Sequence, residues 1–104
     1  MSWKQNLISG YQAFRAGAYR EQKDLYNRLG TKGQKPKVML ICCCDSRADP
    51  SDIFDAYPGE IFVLRNVANL VPPYDSDQAY PGGSAALEFA VNALGVEAIV
   101  VMGH

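Results

Sequence analysis

Three short runs of apolar residues lie along the chain, and each is nearly continuous rather than alternating with polar residues. We expect them to form strands over residues 37–42, 60–64 and 96–102. Continuous apolar strands are typical of parallel sheets, whose strands are buried on both faces. Segments with helical periodicity separate the runs. The sequence therefore predicts an α/β fold with a mainly parallel β-sheet flanked by helices.

The first 30 residues predict an amphipathic helical arm that precedes the sheet. Apolar residues recur at helical spacing across residues 3–29, with Gly17 placed to divide the segment into two helices and Gly30 placed to end it. Two interpretations stay open for this arm. It packs on its own domain, or it embraces a partner chain, because so small a domain offers little surface to cover it.

Two further helices are predicted between the strands. Asp49 and Pro50 are typical of a helix start, and Ser84 is expected to cap a helix over residues 85–94. Gly95 is expected to end that second helix. Residues 71–83, which are rich in proline and glycine, are predicted to form a loop.

The size and charge of the chain limit its function class. Its 104 residues suffice for one domain, which we divide into the arm at residues 1–30 and an α/β core at residues 37–104. A net charge of −1, from 10 basic and 11 acidic residues, provides no electrostatic footprint for nucleic acid or an anionic membrane. No apolar run approaches the ~20 residues that span a bilayer, and no signal peptide is evident. The expected compartment is the cytoplasm.

Three consecutive cysteines, Cys42, Cys43 and Cys44, come after the first apolar run. Their odd number and their adjacency argue against a disulfide framework. In a reducing compartment, cysteines at a strand end are small core residues, metal ligands or nucleophiles.

Chemically active side chains come after the predicted strands, at the edge where a parallel sheet binds ligands. The residues at these strand ends are Cys43, Asp45, Arg47, Arg65, Asn66 and His104. Thiolate and imidazole groups are ligands that zinc prefers, so Cys43 and His104 could share one ion. Taken singly, each also fits a plainer interpretation, a buried cysteine and a frayed terminus. A bidentate pair between Asp45 and Arg47 would hold the carboxylate ionised and fixed.

The spacing of four segments resembles that of the β-class carbonic anhydrases. These segments are Cys43-x-Asp45-Ser46-Arg47, the run Arg65-Asn66-Val67-Ala68-Asn69, the Gly-Ser-Ala-Ala-Leu-Glu-Phe-Ala stretch at residues 83–90, and Gly103-His104. The resemblance runs from Gln34 to the end of the chain and corresponds to the N-terminal half of such an enzyme. It implies a partial β-carbonic anhydrase fold.

The resemblance also implies roles for individual residues. Cys43 and His104 match zinc ligands, and the family's third protein ligand, a cysteine, is expected beyond the end of this chain. Asp45 and Arg47 match the catalytic pair that orients the reacting hydroxide. The residues that match substrate-binding groups are Gln34, a feature of the plant-like type, and three apolar residues that would line the cleft for carbon dioxide, Phe62, Val67 and Phe89.

Zinc-dependent, reversible hydration of carbon dioxide to bicarbonate and a proton is the function that the resemblance implies, in a homodimer or a larger homo-oligomer. A second hypothesis is a non-catalytic interaction module with an incomplete zinc site. A third is a redox or sulfur-transfer protein with a cysteine nucleophile, which needs a thiol of low pKa. The acidic Asp45 is expected to disfavour such a thiol. For Arg65, anion attraction and a structural ion pair stay open, and we favour the structural role.

Overall fold

The computed structural model describes residues 2–71, 73 and 81–103. The chain divides into two compact units, a helical unit over Met1–Gly33 and an α/β unit over Gln34–His104. The α/β unit contains a parallel sheet accompanied by helices, which confirms the predicted fold class. Among the described residues, no helix is both long enough and apolar enough to cross a bilayer.

The described part of the helical unit forms three helices, α1 (Trp3–Ala16), α2 (Ala18–Glu21) and α3 (Lys23–Lys32). Helix α1 begins with a capping box. The Ser2 Oγ accepts a hydrogen bond from the Gln5 N–H at 3.2 Å, and the Gln5 side chain accepts one from the Ser2 N–H at 3.0 Å. These contacts satisfy backbone donors that a helix start otherwise leaves without partners.

Glycines end two of these helices. Gly17 separates α1 from α2, as predicted. The predicted end at Gly30 is wrong, because α3 continues to Lys32 and ends at Gly33. Gly33 has a φ of 76°, in the left-handed region that glycine adopts without a steric penalty, and this conformation stops the helix. A further break at Gln22 separates α2 from α3, and no glycine or proline at that position predicts it.

Aromatic contacts connect the helices of this unit. The Phe14 ring centroid lies 5.7 Å from that of Tyr19 and 6.0 Å from that of Tyr26, and the two tyrosine rings are 5.2 Å apart. Such contacts are each worth about 0.5–1.5 kcal/mol beyond the area they bury. None of the residues in α1, α2 or α3 is fully buried. Trp3 and Leu7 expose 68% and 67% of their surface, so the apolar stripe of α1 remains accessible.

The sheet among the described residues has three parallel strands in the order β2-β1-β3. They are β1 (Val38–Cys43), β2 (Ile61–Asn66) and β3 (Ala98–Val101). All three predicted strands are confirmed, but β2 extends further than expected and β3 is shorter. In register, Val38 pairs with the first residue of both neighbouring strands. The carboxyl ends of the strands therefore meet at one edge.

The core of the α/β unit lies against the central strand β1. Met39 and Ile41 are fully buried and form a cluster with Ala90. The partly buried residues packed against them are Phe62, Leu64, Ala86, Leu87 and Val96. Since side chains alternate along a strand, Cys43 shares the sheet face of Met39 and Ile41.

The expectation that every strand is buried on both faces is wrong. Strand β1 is almost entirely buried, β2 is half-buried, and all four residues of β3 are exposed. Within the described residues β1 alone has a neighbouring strand on each side, and the buried cluster lies against it. An apolar run therefore predicted a strand in each case but did not predict its burial.

Helix α4 (Pro50–Ile53) begins where the sequence predicts. The Asp49 side chain accepts a hydrogen bond from the Ser51 N–H at 3.0 Å and so caps the helix. Pro50 stands at the first turn, where a missing N–H costs nothing.

Helix α5 (Pro81–Glu88) begins before the predicted cap, so the assignment of Ser84 as a cap is wrong. Proline and glycine at residues 81–83 are accommodated because the first turn of a helix needs no internal N–H bonds. The helix continues as π-helical turns over Phe89–Leu94 and ends, as predicted, at Gly95. Of the predicted loop over residues 71–83, residues 72 and 74–80 lie outside the described residues.

Candidate functional site

The carboxyl ends of β1 and β2 bring several of the predicted site residues together. Cys43 is the register partner of Asn66, and Cys42 is the partner of Arg65. The Cys44 N–H donates to the Asn66 carbonyl at 2.9 Å, so the chain stays bonded to β2 beyond the end of β1. Parallel pairing thus places Cys43 beside the Arg65–Asn66 pair, as the sequence predicted.

Backbone donors approach the Cys43 sulfur. The N–H groups of Asp45 and Ala68, and to a smaller extent that of Cys44, donate to this sulfur and hold the pKa of Cys43 below the ordinary thiol value of 9.0. Burial and the charge of Asp45 act in the opposite direction and are outweighed. The expectation that Asp45 disfavours a thiol of low pKa is therefore wrong for Cys43, because Asp45 also contributes a backbone donor. The thiolate so favoured is the form that binds metals.

The two neighbouring cysteines lie in different surroundings. Cys42 is fully buried, and burial raises its pKa above 9.0 although the nearby Arg65 guanidinium lowers it. Cys44 is exposed beyond the end of β1. All three thiols are free, in keeping with the argument against a disulfide framework. Their surroundings distinguish Cys43 as the cysteine with a stabilised thiolate.

Asp45 and Arg47 form the bidentate pair that the spacing predicts. The Arg47 Nε lies 3.0 Å from Oδ1 of Asp45, and its Nη2 lies 3.0 Å from Oδ2. The backbone N–H of Arg47 also donates to Oδ1 at 2.8 Å, which makes Asp45 the cap of a 3₁₀ turn over Ser46–Ala48. The hydrogen bond to Asp45 raises the pKa of Arg47. The pair therefore fixes the direction of the Asp45 carboxylate.

Arg65 reaches from β2 to the loop after β1. Its Nε donates to the Cys43 carbonyl at 2.9 Å, and its Nη2 donates to the Asp45 carbonyl at 2.7 Å. Its Nη1 lies 3.5 Å from Oδ2 of Asp49, the residue that caps α4. These contacts favour the structural role over anion attraction, because all three nitrogens of the guanidinium are engaged by the protein.

A strained turn after β2 faces the same cysteine. Ala68 and Asn69 have φ values of 68° and 46°, in the left-handed region that costs a non-glycine residue about 1–3 kcal/mol. The Asn66 side chain closes this turn, donating to the Leu70 carbonyl at 2.8 Å and accepting from the Leu70 N–H at 2.6 Å. Sequence reasoning missed Ala68, because its contribution to the site is a backbone N–H with no side-chain signature.

The four residues predicted to bind substrate lie in different parts of the α/β unit. Phe62 on β2 and Phe89 at the start of the π-helical turns contact each other, with ring centroids 5.8 Å apart. Val67 comes directly after β2 and exposes 77% of its surface. Gln34 is exposed at the start of the unit, before β1. The structure thus brings the two phenylalanines together and leaves Val67 accessible at the strand end.

The predicted imidazole ligand, His104, lies outside the described residues. Within residues 2–71, 73 and 81–103, no group of three or more His, Cys, Asp or Glu side chains is placed to hold a metal ion. The chemistry of Cys43 nevertheless fits a zinc ligand, because backbone N–H groups stabilise its thiolate. Asp45, with both oxygens bound by Arg47, is held as a hydrogen-bond acceptor beside that thiolate.

Comparison with known proteins identifies similar sequences and folds. A family model described as carbonic anhydrase matches residues 38–104. A carbonic anhydrase of Synechocystis sp. is 44% identical over 100 residues, which make up 96% of this chain and 35% of that protein. The chain therefore spans about a third of the length of the curated relatives it matches.

Two solved structures resemble the chain over nearly all of its length. The structure of the beta-carbonic anhydrase CcaA has a TM-score of 0.84 and 43% identity, and the match covers 92% of this chain and 42% of that one. One of two tetrameric beta-carbonic anhydrases from Sordaria macrospora has a TM-score of 0.78 and 33% identity, covering 96% of this chain and 48% of that one. The fold of this chain therefore corresponds to part of each of those proteins.

Proposed function

The chain belongs to the β-carbonic anhydrase family, and on that premise we propose that the protein catalyses the zinc-dependent, reversible hydration of carbon dioxide to bicarbonate and a proton. One observation carries the proposal. Arg47 holds the Asp45 carboxylate by two hydrogen bonds, next to a cysteine whose thiolate form is favoured. This arrangement would supply a fixed hydrogen-bond acceptor beside the proposed metal ligand.

Cys43 and His104 are the proposed zinc ligands, with a further ligand, a cysteine, beyond residue 104. When bound, zinc lowers the pKa of a coordinated water to about 7 and so supplies a nucleophile near neutral pH. Backbone donors, chiefly the N–H groups of Asp45 and Ala68, support Cys43 in the thiolate form that ligation requires. These donors correspond to the outer hydrogen bonds that orient metal ligands in other proteins.

Asp45 is proposed to orient the attacking water. Its carboxylate would accept a hydrogen bond from that water and turn the oxygen lone pair towards carbon dioxide. Arg47 prevents the carboxylate from rotating, because both oxygens are bound by the same guanidinium. It would equally keep Asp45 from swinging to the metal as an additional ligand.

Carbon dioxide is small and apolar, and the proposed cleft matches it in character. Phe62 and Phe89, whose rings are in contact, would form part of an apolar wall together with Val67. Val67 is accessible at the carboxyl end of β2, on the edge that carries Cys43 and Asn66. Gln34 is proposed to donate a hydrogen bond from its side-chain amide to a substrate oxygen.

We also propose that the protein acts as a homodimer or a larger homo-oligomer. Large apolar residues are exposed in both units, among them Trp3 and Leu7 in the helical unit and Val100 in β3. Exposed apolar surface of this kind is typical of association surfaces. The relatives from Sordaria macrospora are described as tetrameric. The three free thiols suit a reducing compartment, and we propose the cytoplasm.

The test uses the full-length protein and measures two quantities together. Stopped-flow spectrophotometry with a pH indicator measures hydration of carbon dioxide, and atomic absorption measures zinc. We expect one zinc per chain, and activity that a chelator removes and added zinc restores. A folded, zinc-free and inactive protein would instead support the interaction module, and thiol reactivity without bound metal would support the sulfur-transfer protein.

A further inference from the structure

Arg65 contacts the loop that carries the proposed ligand and the catalytic carboxylate at two separate points. Its Nε and Nη2 donate to the carbonyls of Cys43 and Asp45 at 2.9 and 2.7 Å, on either side of Cys44. The Arg65 side chain is only 26% exposed, so water competes weakly for these donors. Hydrogen bonds from a charged donor are stronger than those from a neutral one.

These contacts fix the peptide groups around Cys44. The peptide between Cys43 and Cys44 is held at both ends, since its carbonyl accepts from Arg65 and its N–H donates to the Asn66 carbonyl at 2.9 Å. The peptide after Asp45 is held through its own carbonyl. Between them lies the peptide whose N–H, that of Asp45, donates to the Cys43 sulfur. Because the peptide groups on both sides are anchored, the peptide between Cys44 and Asp45 has little freedom to rotate, and the Asp45 N–H keeps its direction towards the sulfur.

Asp49 completes the arrangement. Its Oδ2 lies 3.5 Å from Nη1 of Arg65, while its Oδ1 caps α4 through the Ser51 N–H at 3.0 Å. The carboxylate therefore holds the guanidinium from the helix side while the two carbonyls hold it from the loop side. A lysine could not reproduce this set of contacts, because its ammonium is a single point and not a planar fork.

From this geometry we propose that Arg65 is a positioning residue, which sets the distance and direction between the Cys43 ligand and the Asp45 carboxylate without touching substrate; the inference rests on the proposed function for its catalytic meaning. A guanidinium that bridges two carbonyls in one loop keeps residues 43 and 45 in a single relative arrangement.

The experiment compares Arg65→Lys, which keeps the charge, with Arg65→Gln, which removes it, in the full-length protein. Arg28→Lys is the matched control, since Arg28 is exposed on α3 in the other unit. Circular dichroism establishes that each variant is folded. Zinc dissociation, followed with a chromogenic chelator, is expected to be about 10- to 100-fold faster in both Arg65 variants, as for lost outer hydrogen bonds at other metal sites.

A second measurement does not depend on zinc. Amide hydrogen exchange in the metal-free protein reports on the Cys44 N–H, bonded to Asn66, and the Ala48 N–H, bonded to the Asp45 carbonyl at 2.9 Å. Both amides should exchange about tenfold faster in Arg65→Lys than in the wild type, the factor expected for one lost charge-assisted hydrogen bond. The same amides should be unchanged in Arg28→Lys.

The outcomes separate this inference from the proposed function. If the wild type binds no zinc, the proposed function is contradicted, and the exchange measurement still decides the role of Arg65. If Arg65→Lys matches the wild type in exchange and in zinc dissociation while Arg65→Gln does not, then the charge of residue 65 matters and the planar guanidinium does not. That result would overturn the proposal in favour of anion attraction.

Discussion

The Arg47 guanidinium binds both carboxylate oxygens of Asp45, at 3.0 Å from Nε to Oδ1 and 3.0 Å from Nη2 to Oδ2. The two side chains differ in accessibility, since Arg47 is 79% exposed and Asp45 only 28%. An exposed ion pair contributes little to stability. The consequence of this pair is therefore the fixed direction of a carboxylate, which substitutions can test without unfolding the protein.

Asp45→Asn should leave zinc bound and slow turnover. An amide offers one acceptor oxygen and one donor nitrogen, so the bidentate contact with Arg47 is lost and the acceptor for the reacting water weakens. We expect kcat to fall by roughly 10²-fold, the loss that a reacting group displaced by about 1 Å typically causes. Stopped-flow kinetics and zinc content measured on the same sample check this.

The control for this substitution is Asp52→Asn, which changes an exposed carboxylate on α4. It should retain both activity and zinc. Turnover of Asp45→Asn equal to that of the control would show that Asp45 does not orient the reacting water.

Arg47→Lys should reduce turnover while stability stays nearly constant. Lysine keeps the charge but cannot bind both oxygens of Asp45, so the carboxylate gains freedom to rotate. We expect kcat to fall by about tenfold, as for one lost charge-assisted hydrogen bond. Because Arg47 is largely exposed, the free energy of unfolding should stay close to that of the wild type.

A comparison with Arg20→Lys on α2 separates the dyad from a general effect of replacing arginine. Thermal unfolding and stopped-flow kinetics are measured for both variants. A large loss of stability in Arg47→Lys, with the decrease in kcat explained by unfolded protein, would contradict the orienting role.

Serine substitutions of the three adjacent cysteines should separate metal binding from packing. Cys43→Ser should lose zinc, because a serine hydroxyl is not a ligand that zinc sites use. Cys42→Ser should keep zinc but lose about 1–3 kcal/mol of stability, since it buries a hydroxyl at a position with no exposed surface. Cys44→Ser, at an exposed position, should change neither quantity.

Zinc content reports on metal binding in the three serine variants, and denaturant unfolding reports on their packing. Equal zinc retention in all three would refute Cys43 as a ligand. Loss of zinc from Cys44→Ser alone would move the ligand one position along the chain.

The strand ends are the part of the site that the sequence predicts well. Continuous apolar runs identify parallel strands, and parallel pairing places the residues after each strand at one edge. Cys43 and Asn66 accordingly lie opposite each other, and the spacing of Asp45 and Arg47 suffices to predict their contact. The contact between Asp45 and Arg47 depends only on local order along the chain, whereas the position of Cys43 opposite Asn66 also requires parallel pairing of β1 and β2.

Other features depend on contacts that no local pattern records. The exposure of β3 depends on what packs against the faces of the sheet, which the residues of the strand do not record. The donor role of Ala68 accompanies a left-handed backbone conformation, in a turn that the Asn66 side chain closes through Leu70. The pKa of Cys43 is lowered, although the nearby Asp45 charge predicts the opposite, because backbone N–H groups donate to its sulfur. Such backbone donors cannot be recognised from residue types in the sequence.

The pH dependence of stability should differ in sign between Cys43 and Cys42 in the metal-free protein. Backbone donors lower the pKa of Cys43 in the folded state, so its contribution is fully present above the unfolded pKa and is lost as the pH falls through the folded pKa. Burial raises the pKa of Cys42, so its contribution is fully present below the unfolded pKa and is lost as the pH rises through the folded pKa. Because the two pKa shifts have opposite directions, a variant of either cysteine is the control for a variant of the other.

Alanine variants make the difference measurable. The free energy of unfolding is determined by denaturant titration from neutral pH to about pH 10, a range that spans the ordinary thiol pKa. The stability lost in Cys43→Ala should grow as the pH rises, because the wild type gains from a stabilised thiolate that the variant lacks. The stability lost in Cys42→Ala should shrink over the same range. As the pH rises, the thiol ionises more readily in the unfolded wild-type chain than in the folded one, and this lowers the stability of the wild type. Parallel pH profiles for the two variants would mean that the N–H groups of Asp45 and Ala68 do not stabilise the Cys43 thiolate.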